Sequence, residues 1–308
     1  MPARSFRRRP SSAQGRLNEP LVSIAMPAWN AGAYLADALR SVFAQTYTSW
    51  ELLIADDGST DGSIELARAI RDDRIRVLGD GQRRGGGNRL NEITRVARGA
   101  LVARMDADDL MHPRRIEHQV RYLTEHPDVD VLGTGTIVFS DRATLMGRRT
   151  GAQGATRASV LAGAHLGGAT VMAKTSFFHA NPFDPRYEAS GDFELFCRVA
   201  PRARAAVLQE ALYFYRELHS RNARKYLTSY VGTDRILRVY GPSEIGQART
   251  LALRVRNCVG MVATATAIAL GKKPWLVRRR SLPLSPAEST EADGALAAVF
   301  ATRLPGID

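Results

Sequence analysis

The chain has 308 residues, 44% hydrophobic and 24% charged, which suits a soluble globular protein of one large domain plus an extension, or of two small domains. A formal net charge of +12 and a pI of about 10.3 point to a polyanionic partner: nucleic acid, an anionic membrane surface or a phosphorylated substrate. Only two cysteines, Cys197 and Cys258, are present and far apart, which argues against a disulfide framework or a thiolate metal site and fits a reducing compartment.

Residues 1–19 are polar and carry Arg7-Arg8-Arg9, so a disordered basic tail is expected there. No apolar run precedes Pro20, and the segment does not read as a secretory signal. Leu21 to Met26 reads as a buried strand ended by Pro27. Ala33 to Gln45 has apolar residues at helical spacing. Trp50 to Ala55 is a second strand, Asp56 to Gly62 a loop, and Ser63 to Ile70 a helix. Ile75 to Leu78 is a third strand, Gly85-Gly86-Gly87 a loop, and Asn88 to Ala97 a helix. Leu101 to Met105 is a fourth strand, running into Asp106-Ala107-Asp108-Asp109. Pro113 to Glu125 is a helix, and Val129 to Phe139 holds at least one strand.

Alternating strands and helices predict an α/β fold, a doubly wound and mostly parallel sheet with helices on both faces. Such sheets bind ligands beyond the carboxyl ends of their strands. Pro27 to Asn30, Asp56 to Asp61 and Asp106 to Asp109 all fall at such ends, so the topology gathers three polar segments on one rim.

Asp106 and Asp108 cannot converge within a strand, where neighbouring side chains alternate faces, but a turn after Met105 lets both aim at one point. Two hard oxygen donors there suit Mg²⁺ or Mn²⁺ bound with a substrate phosphate; the plain alternative is a solvated acidic turn. Trp29 either stacks on a base or is a half-buried core aromatic. Asp57 either accepts a hydrogen bond from a pyrimidine N–H or makes an Asx-turn. GxxxxGK[ST], HExxH and GxSxG are absent, and Gly133-Thr134-Gly135 lacks the third glycine of a dinucleotide fingerprint.

The segments Val22–Asn30, Glu51–Asp61 and Ala103–Asp109, in that order, resemble the family 2 glycosyltransferases with the GT-A fold. Arg89-Leu90-Asn91 and Pro113–Gln119 are similar to a bacterial subgroup of that family. The resemblance is strong over residues 21–140 and weaker to about 220. It implies a GT-A domain over 20–220 and an inverting transfer of one hexosyl or N-acetylhexosaminyl group; residues 221–308, where the family signal fades, are expected to form a helical C-terminal extension with a flexible tail. The implied donor is a nucleotide-diphosphate sugar, UDP-linked in the usual case. Carried over residue by residue, Pro27, Trp29, Asn30, Asp57, Arg89 and Asp106 line the nucleotide-sugar site. Asp106 and Asp108 form the D-x-D pair, with Asp108 the direct ligand of Mn²⁺ or Mg²⁺ and Asp109 in support. Asp192, in Gly191-Asp192-Phe193-Glu194-Leu195-Phe196, takes the position of the base, although Gly191 stands where the family has Glu. An acid in a helix's first turn is also favoured by the dipole alone. Glu194 is the fallback base. Thr170, Glu194, Arg216 and His219 are candidates for acceptor or diphosphate contacts. Gly168 replaces a customary His. No Gln-x-x-Arg-Trp occurs, so transfer of a single sugar is expected, not polymerisation.

The implied acceptor is a cell-surface glycan or a lipid-linked sugar, with no nucleic acid, and the expected location is cytoplasmic or peripheral on the inner face of the membrane. Rival readings are a non-catalytic nucleic-acid or anionic-membrane binding protein on the same fold, and a nucleotidyltransferase. Cys258 to Leu270 is apolar but shorter than the roughly 20 residues a span requires. Ordinary packing is the first expectation for it and interfacial docking the second.

Overall fold

The computed structural model describes residues 19–140, 143–164, 166–217, 223–271 and 281–308. The expected basic N-terminal tail and His219 lie outside them, as do the Lys272-Lys273 and Arg278–Arg280 clusters.

Four strands open the fold in parallel: β1 (Val22–Ala28), β2 (Trp50–Asp56), β3 (Ile75–Leu78) and β4 (Leu101–Arg104), in the spatial order β3-β2-β1-β4. They are joined through helices α1 (Tyr34–Phe43), α2 (Ser63–Ala69) and α3 (Gly86–Val96). β1, β2 and β4 are buried on both faces, as strands sandwiched between helix layers must be. Ile24, Met26, Leu52 and Ile54 pack with Leu35, Leu39 and Val42 of α1. Ala25, Leu53, Ala55 and Val102 pack on the other face with Leu90 and Ile93 of α3.

β1 runs through Pro27 instead of stopping at it. Ala25 accepts a backbone bond from Met105 on the β4 side, and residues two apart face the same side. Pro27 therefore faces the side where β4 has already ended, so its missing N–H costs no ladder bond.

Beyond β4 the sheet becomes mixed. β5 (Leu110–Met111) and helix α4 (Arg115–Glu125) precede β6 (Val131–Ser140) and β7 (Leu145–Arg149). After the short helix α5 (Arg157–Leu161), β8 (Met172–Lys174) inserts antiparallel between β4 and β6. Helices α6 (Thr175–Ala180) and α7 (Gly191–Val199) lead to β9 (Ala205–Glu217), which is parallel to β6. β5 and β7 add antiparallel to β9 and β6. Among the described residues, nine strands form this one sheet.

Among the described residues, three helices follow β9: α8 (Ala223–Ile245), α9 (Gln247–Ala269) and α10 (Pro286–Phe300). α10 opens with a capping box between Ser285 and Glu288. Its Ala292, Ala295, Leu296 and Val299 pack against Leu110, Ile137, Phe139 and Phe214. The end of the chain is not the flexible tail expected. Leu304 is fully buried, Arg71 donates from its backbone to Pro305, and Arg40 holds the Asp308 carboxylate at 2.9 Å. The apolar segment expected to begin near Cys258 is the second half of α9, and its outer face is exposed.

Candidate active site

The three polar segments do reach one rim. At the end of β4, Asp106, Asp108 and Asp109 each offer an oxygen, and these oxygens lie within 4.8 Å of one another. Asp109 is fully buried and already committed. It accepts from the Tyr213 hydroxyl at 2.9 Å and from the Arg216 backbone N–H at 2.7 Å. Burial, then the charges of Asp109 and Asp106, push the pKa of the Tyr213 hydroxyl well above its usual value, so it remains a donor. The same hydroxyl accepts from the Asp106 backbone N–H at 3.1 Å. Asp109 and Tyr213 thus fix the turn, while Asp106 and Asp108 remain half-buried at its lip. Paired carboxylates at a strand end are the donor chemistry of a Mg²⁺ or Mn²⁺ site that shares its ion with phosphate, so these residues fit such an ion.

Arg216 lies beneath this turn, 2% exposed. Its Nε donates to the Asp108 carbonyl at 2.9 Å and its Nη2 to Asp37 of α1 at 3.0 Å. The guanidinium also lies 4.8 Å from the Tyr34 ring centre and 4.7 Å from that of Phe139. It is a strut holding the acid turn to α1 and β9.

Arg104, the last residue of β4, joins the acid turn to α7. One amino group reaches Asp106 Oδ1 at 3.3 Å and the other pairs with Asp192 Oδ1. Arg104 is 6% exposed, and its Nε has no hydrogen-bond partner. Asp192 stands in the first turn of α7, where the helix dipole favours a carboxylate. Its close neighbour is Gly168. A Cβ at that position would overlap the Asp192 carboxyl, with even the farther oxygen Oδ1 only 2.7 Å away. The missing His at 168 therefore has a steric reason here: the carboxylate occupies the space a side chain would need.

Arg115 and Gln119, one turn apart on α4 and fully buried, hold this arrangement from behind. Arg115 Nη2 donates to the carbonyls of Arg104 at 2.8 Å and Ala169 at 3.1 Å. Gln119 donates to the carbonyls of Leu132 and Thr170. Burial pulls the Arg115 pKa down to about 10, which still leaves it charged at neutral pH.

At the end of β2, Asp57 is 5% exposed. It accepts from the backbone N–H groups of Arg84 at 2.6 Å and Gly85 at 3.0 Å, and from Arg89 Nε at 3.2 Å. Arg89 is buried and also pairs with Asp80 and Glu92. Burial opposes its charge, but these carboxylates outweigh burial and raise its pKa. Asp57 and Arg89 thus set the path of the 80–85 loop. Asn30 adopts φ 46°, a left-handed conformation that Asn tolerates. Its Oδ1 accepts from the Thr60 N–H, clamping the loop after β2 to the end of β1. Trp29 is 47% exposed, and the Arg83 guanidinium lies 3.8 Å from its ring centre. That contact demonstrates an accessible aromatic face able to stack on a planar group.

Two expected contacts lie apart from this group. Thr170 is buried, with its hydroxyl donating to Gly167 O. Glu194, 2% exposed, is held by Arg198 at 2.9 Å and the Tyr240 hydroxyl at 2.8 Å, so the fallback base faces the α7–α8 packing. Arg104, Arg115 and Tyr213 were missed from sequence. The one signal available for Arg104 was a charged residue ending a buried strand beside the acids.

Residues 23–178 match the family described as Glycosyl transferase family 2, about half of the chain, and the chain belongs to that family. It is 38% identical over 125 residues to the putative glycosyltransferase EpsE of Bacillus subtilis, covering 40% of this chain and 45% of that protein. It is 27% identical over 183 residues to the Escherichia coli UDP-Glc:alpha-D-GlcNAc-diphosphoundecaprenol beta-1,3-glucosyltransferase WfgD, covering 59% of this chain and 71% of that one. The chain thus spans less than half the length of the Bacillus relative. In fold it is similar to S. aureus TarS 1-349 in complex with UDP, with a TM-score of 0.57 at 17% identity, covering 91% of this chain and 80% of that one. It is also similar to the mannosyltransferase PcManGT from Pyrobaculum calidifontis in complex with GDP-Man and Mn²⁺, with a TM-score of 0.54 at 17% identity, covering 92% and 86%. The fold is therefore that of GT-A glycosyltransferases, a mixed, largely parallel sheet with helices and a helical C-terminal region.

Proposed function

We propose that this chain is an inverting, metal-dependent glycosyltransferase that moves one sugar from a nucleotide-diphosphate donor, UDP-linked, to a hydroxyl of a glycan or lipid-linked acceptor. The observation carrying this reading is the Asp106-Arg104-Asp192 bridge, which joins the candidate metal-binding acids to the candidate base. The donor classes in the solved neighbours, UDP and GDP-Man, and the lipid-linked acceptor in the E. coli relative's name support it.

In this reading Trp29 stacks on the base, and Pro27, Asn30 and Asp57, with Arg89 behind it, shape the nucleoside pocket. Asp106 and Asp108 would hold Mn²⁺ or Mg²⁺, whose charge offsets that of the departing diphosphate. Asp192 accepts the proton of the acceptor hydroxyl as that oxygen bonds to the anomeric carbon. The bond from that carbon to the diphosphate oxygen breaks on the opposite face, and the nucleotide diphosphate leaves with the bonding pair. Arg104 fixes Asp192 relative to Asp106, a positioning role that counts because misplacement by about 1 Å can cost on the order of 10²-fold in rate. The same reading makes the protein cytoplasmic, acting at the inner face of the membrane that carries its acceptor.

A thermal-shift screen of UDP-, GDP- and other nucleotide sugars with Mn²⁺ tests the donor class, because a ligand that binds only the native state raises apparent stability. A shift with a UDP-sugar that weakens in Asp108→Ala is the expected result. No shift with any nucleotide sugar would sink the reading.

A further inference from the structure

Helix α9 is built inside out. Its inward face is largely polar: Thr250 and Thr264 are 5% and 2% exposed, beside the small Ala267 and with Leu253 packed on the core. Arg254 donates to Asp234 at 2.7 Å, Asn257 to the Tyr230 carbonyl at 2.9 Å, and the Tyr230 hydroxyl and Thr264 Oγ1 lie 2.8 Å apart. Gly260 admits the Tyr230 ring, whose nearest atom would lie 3.3 Å from a Cβ there. The outward face carries Leu251, Val255, Val259 and Val262, with Leu270 just past the helix end, each between 55% and 63% exposed. A surface helix in water shows the opposite arrangement. Single exposed apolar residues are ordinary, but a contiguous stripe along a helix of this length marks an interaction surface.

Charge selects the partner. From Asn257 to Gly271 the sequence has no charged residue, while Arg249, Arg254 and Arg256 precede that stretch and Lys272 and Lys273 follow it. The two helices α8 and α9 together carry seven basic residues against Asp234 and Glu244. Asp234 is paired with Arg238 and Arg254, and Glu244 with Arg157. A second copy on this face would bring two basic surfaces together, at a cost. An anionic bilayer attracts the same charges, while its acyl boundary takes the stripe. Among the described residues α9 is the one helix long and apolar enough to cross a membrane. However, hydrogen bonds from Arg254 to Thr264 tie it along α8, and Arg256 donates to Ala162 O at 2.9 Å. It is thereby held flat against the domain.

We propose that α9 docks this protein on an anionic membrane, lying in the interface plane with the Leu251–Leu270 stripe in the headgroup–acyl boundary. The inference stands on the helix alone and not on the donor chemistry.

Cys258 supplies the probe. It is exposed near the stripe, whereas Cys197 is buried, so a thiol-reactive environment-sensitive dye labels position 258 selectively. The full chain is mixed, without donor, with phosphatidylcholine vesicles that contain or lack phosphatidylglycerol. Expected are cosedimentation with the anionic vesicles, weakening as salt rises, and a blue shift of the dye. Val259→Asp should lower partitioning about tenfold, the worth of one buried Val. Its thermal stability and donor response should match wild type, because Val259 is exposed. The proposal is overturned if the protein stays in the supernatant with anionic vesicles. It is equally overturned if Val259→Asp binds like wild type, or if the dye is shielded by dimerisation in vesicle-free solution. Vesicle binding is read without nucleotide sugar, so its failure and failure of the transferase reading are separate results.

Discussion

Replacing Gly168 by alanine puts a methyl group where the Asp192 carboxyl now lies. The added Cβ would overlap that group and stand 2.7 Å from its farther oxygen. Asp192 must withdraw by more than about 1 Å to regain ordinary contact distance, which breaks its pair with Arg104. Arg104 cannot follow, because its backbone carbonyl is held by Arg115 and its other amino group by Asp106. With Asp192 as the proposed base, a displacement of about 1 Å is expected to cost roughly 10²-fold in kcat, close to 2.7 kcal/mol of transition-state stabilisation. Donor binding should change little, since the proposed nucleoside contacts lie at β1 and β2. The fold should lose no more than about 1 kcal/mol, because the half-exposed Asp192 side chain can swing toward solvent. The assay is steady-state release of nucleotide diphosphate by wild type, Gly168→Ala, Asp192→Asn and the double variant. The double variant should be no worse than Asp192→Asn, because both changes act through one carboxylate. Wild-type kcat in Gly168→Ala, or fully additive losses in the double variant, would show that Gly168 does not act through Asp192.

The acids at the end of β4 should separate by role. Asp108→Ala should abolish transfer while changing stability in urea by less than about 1 kcal/mol, since the side chain is half-exposed at the lip. Asp109→Ala should cost about 3 kcal/mol, because it strands the buried Tyr213 hydroxyl and the Arg216 N–H. Acid should destabilise the fold through His112, whose Nδ1 accepts from the Arg114 N–H at 3.2 Å and so must be unprotonated. Burial, then the Arg114 charge, lowers its pKa to about 4. The unfolded chain therefore takes up the proton first as pH falls below about 6.5. Stability is full above that pH and declines by up to about 3 kcal/mol toward pH 4. His112→Asn keeps an acceptor but does not titrate, and urea titrations at pH 7 and pH 5 should show a smaller loss in it than in wild type.

β1, β2, β4 and α1 were legible because strands and helices buried between layers must be apolar runs or helical stripes, and the sequence writes both locally. The rim followed from topology alone, since Asp57 and Asp106 each follow such a strand. The antiparallel half was less legible. β8 has three residues, too few for a period, and it is defined by pairing with β4 and β6. α3 starts at Gly86, inside what reads as a glycine loop, because Asp57 in another segment accepts the Gly85 N–H and fixes its start. The burial of Arg89, Arg104, Arg115 and Arg216 has no local sign in the sequence, since their partners are distant carboxylates and carbonyls. The same blindness hid the bridge from Asp106 to Asp192, whose residues lie far apart in sequence. It also hid α9, whose composition suggests packing and whose orientation only the structure reveals.

In the proposed reaction Asp106 and Asp108 bind a metal-linked nucleotide-diphosphate sugar while Asp192 takes the acceptor proton. Nucleotide diphosphate release from a panel of nucleotide sugars, with Mn²⁺ and with chelator, measures this most directly. Expected is release from a UDP-sugar that requires the metal and is lost in both Asp108→Ala and Asp192→Asn, with donor binding retained in Asp192→Asn. Release that persists in chelator, or in Asp192→Asn at the wild-type rate, would contradict it.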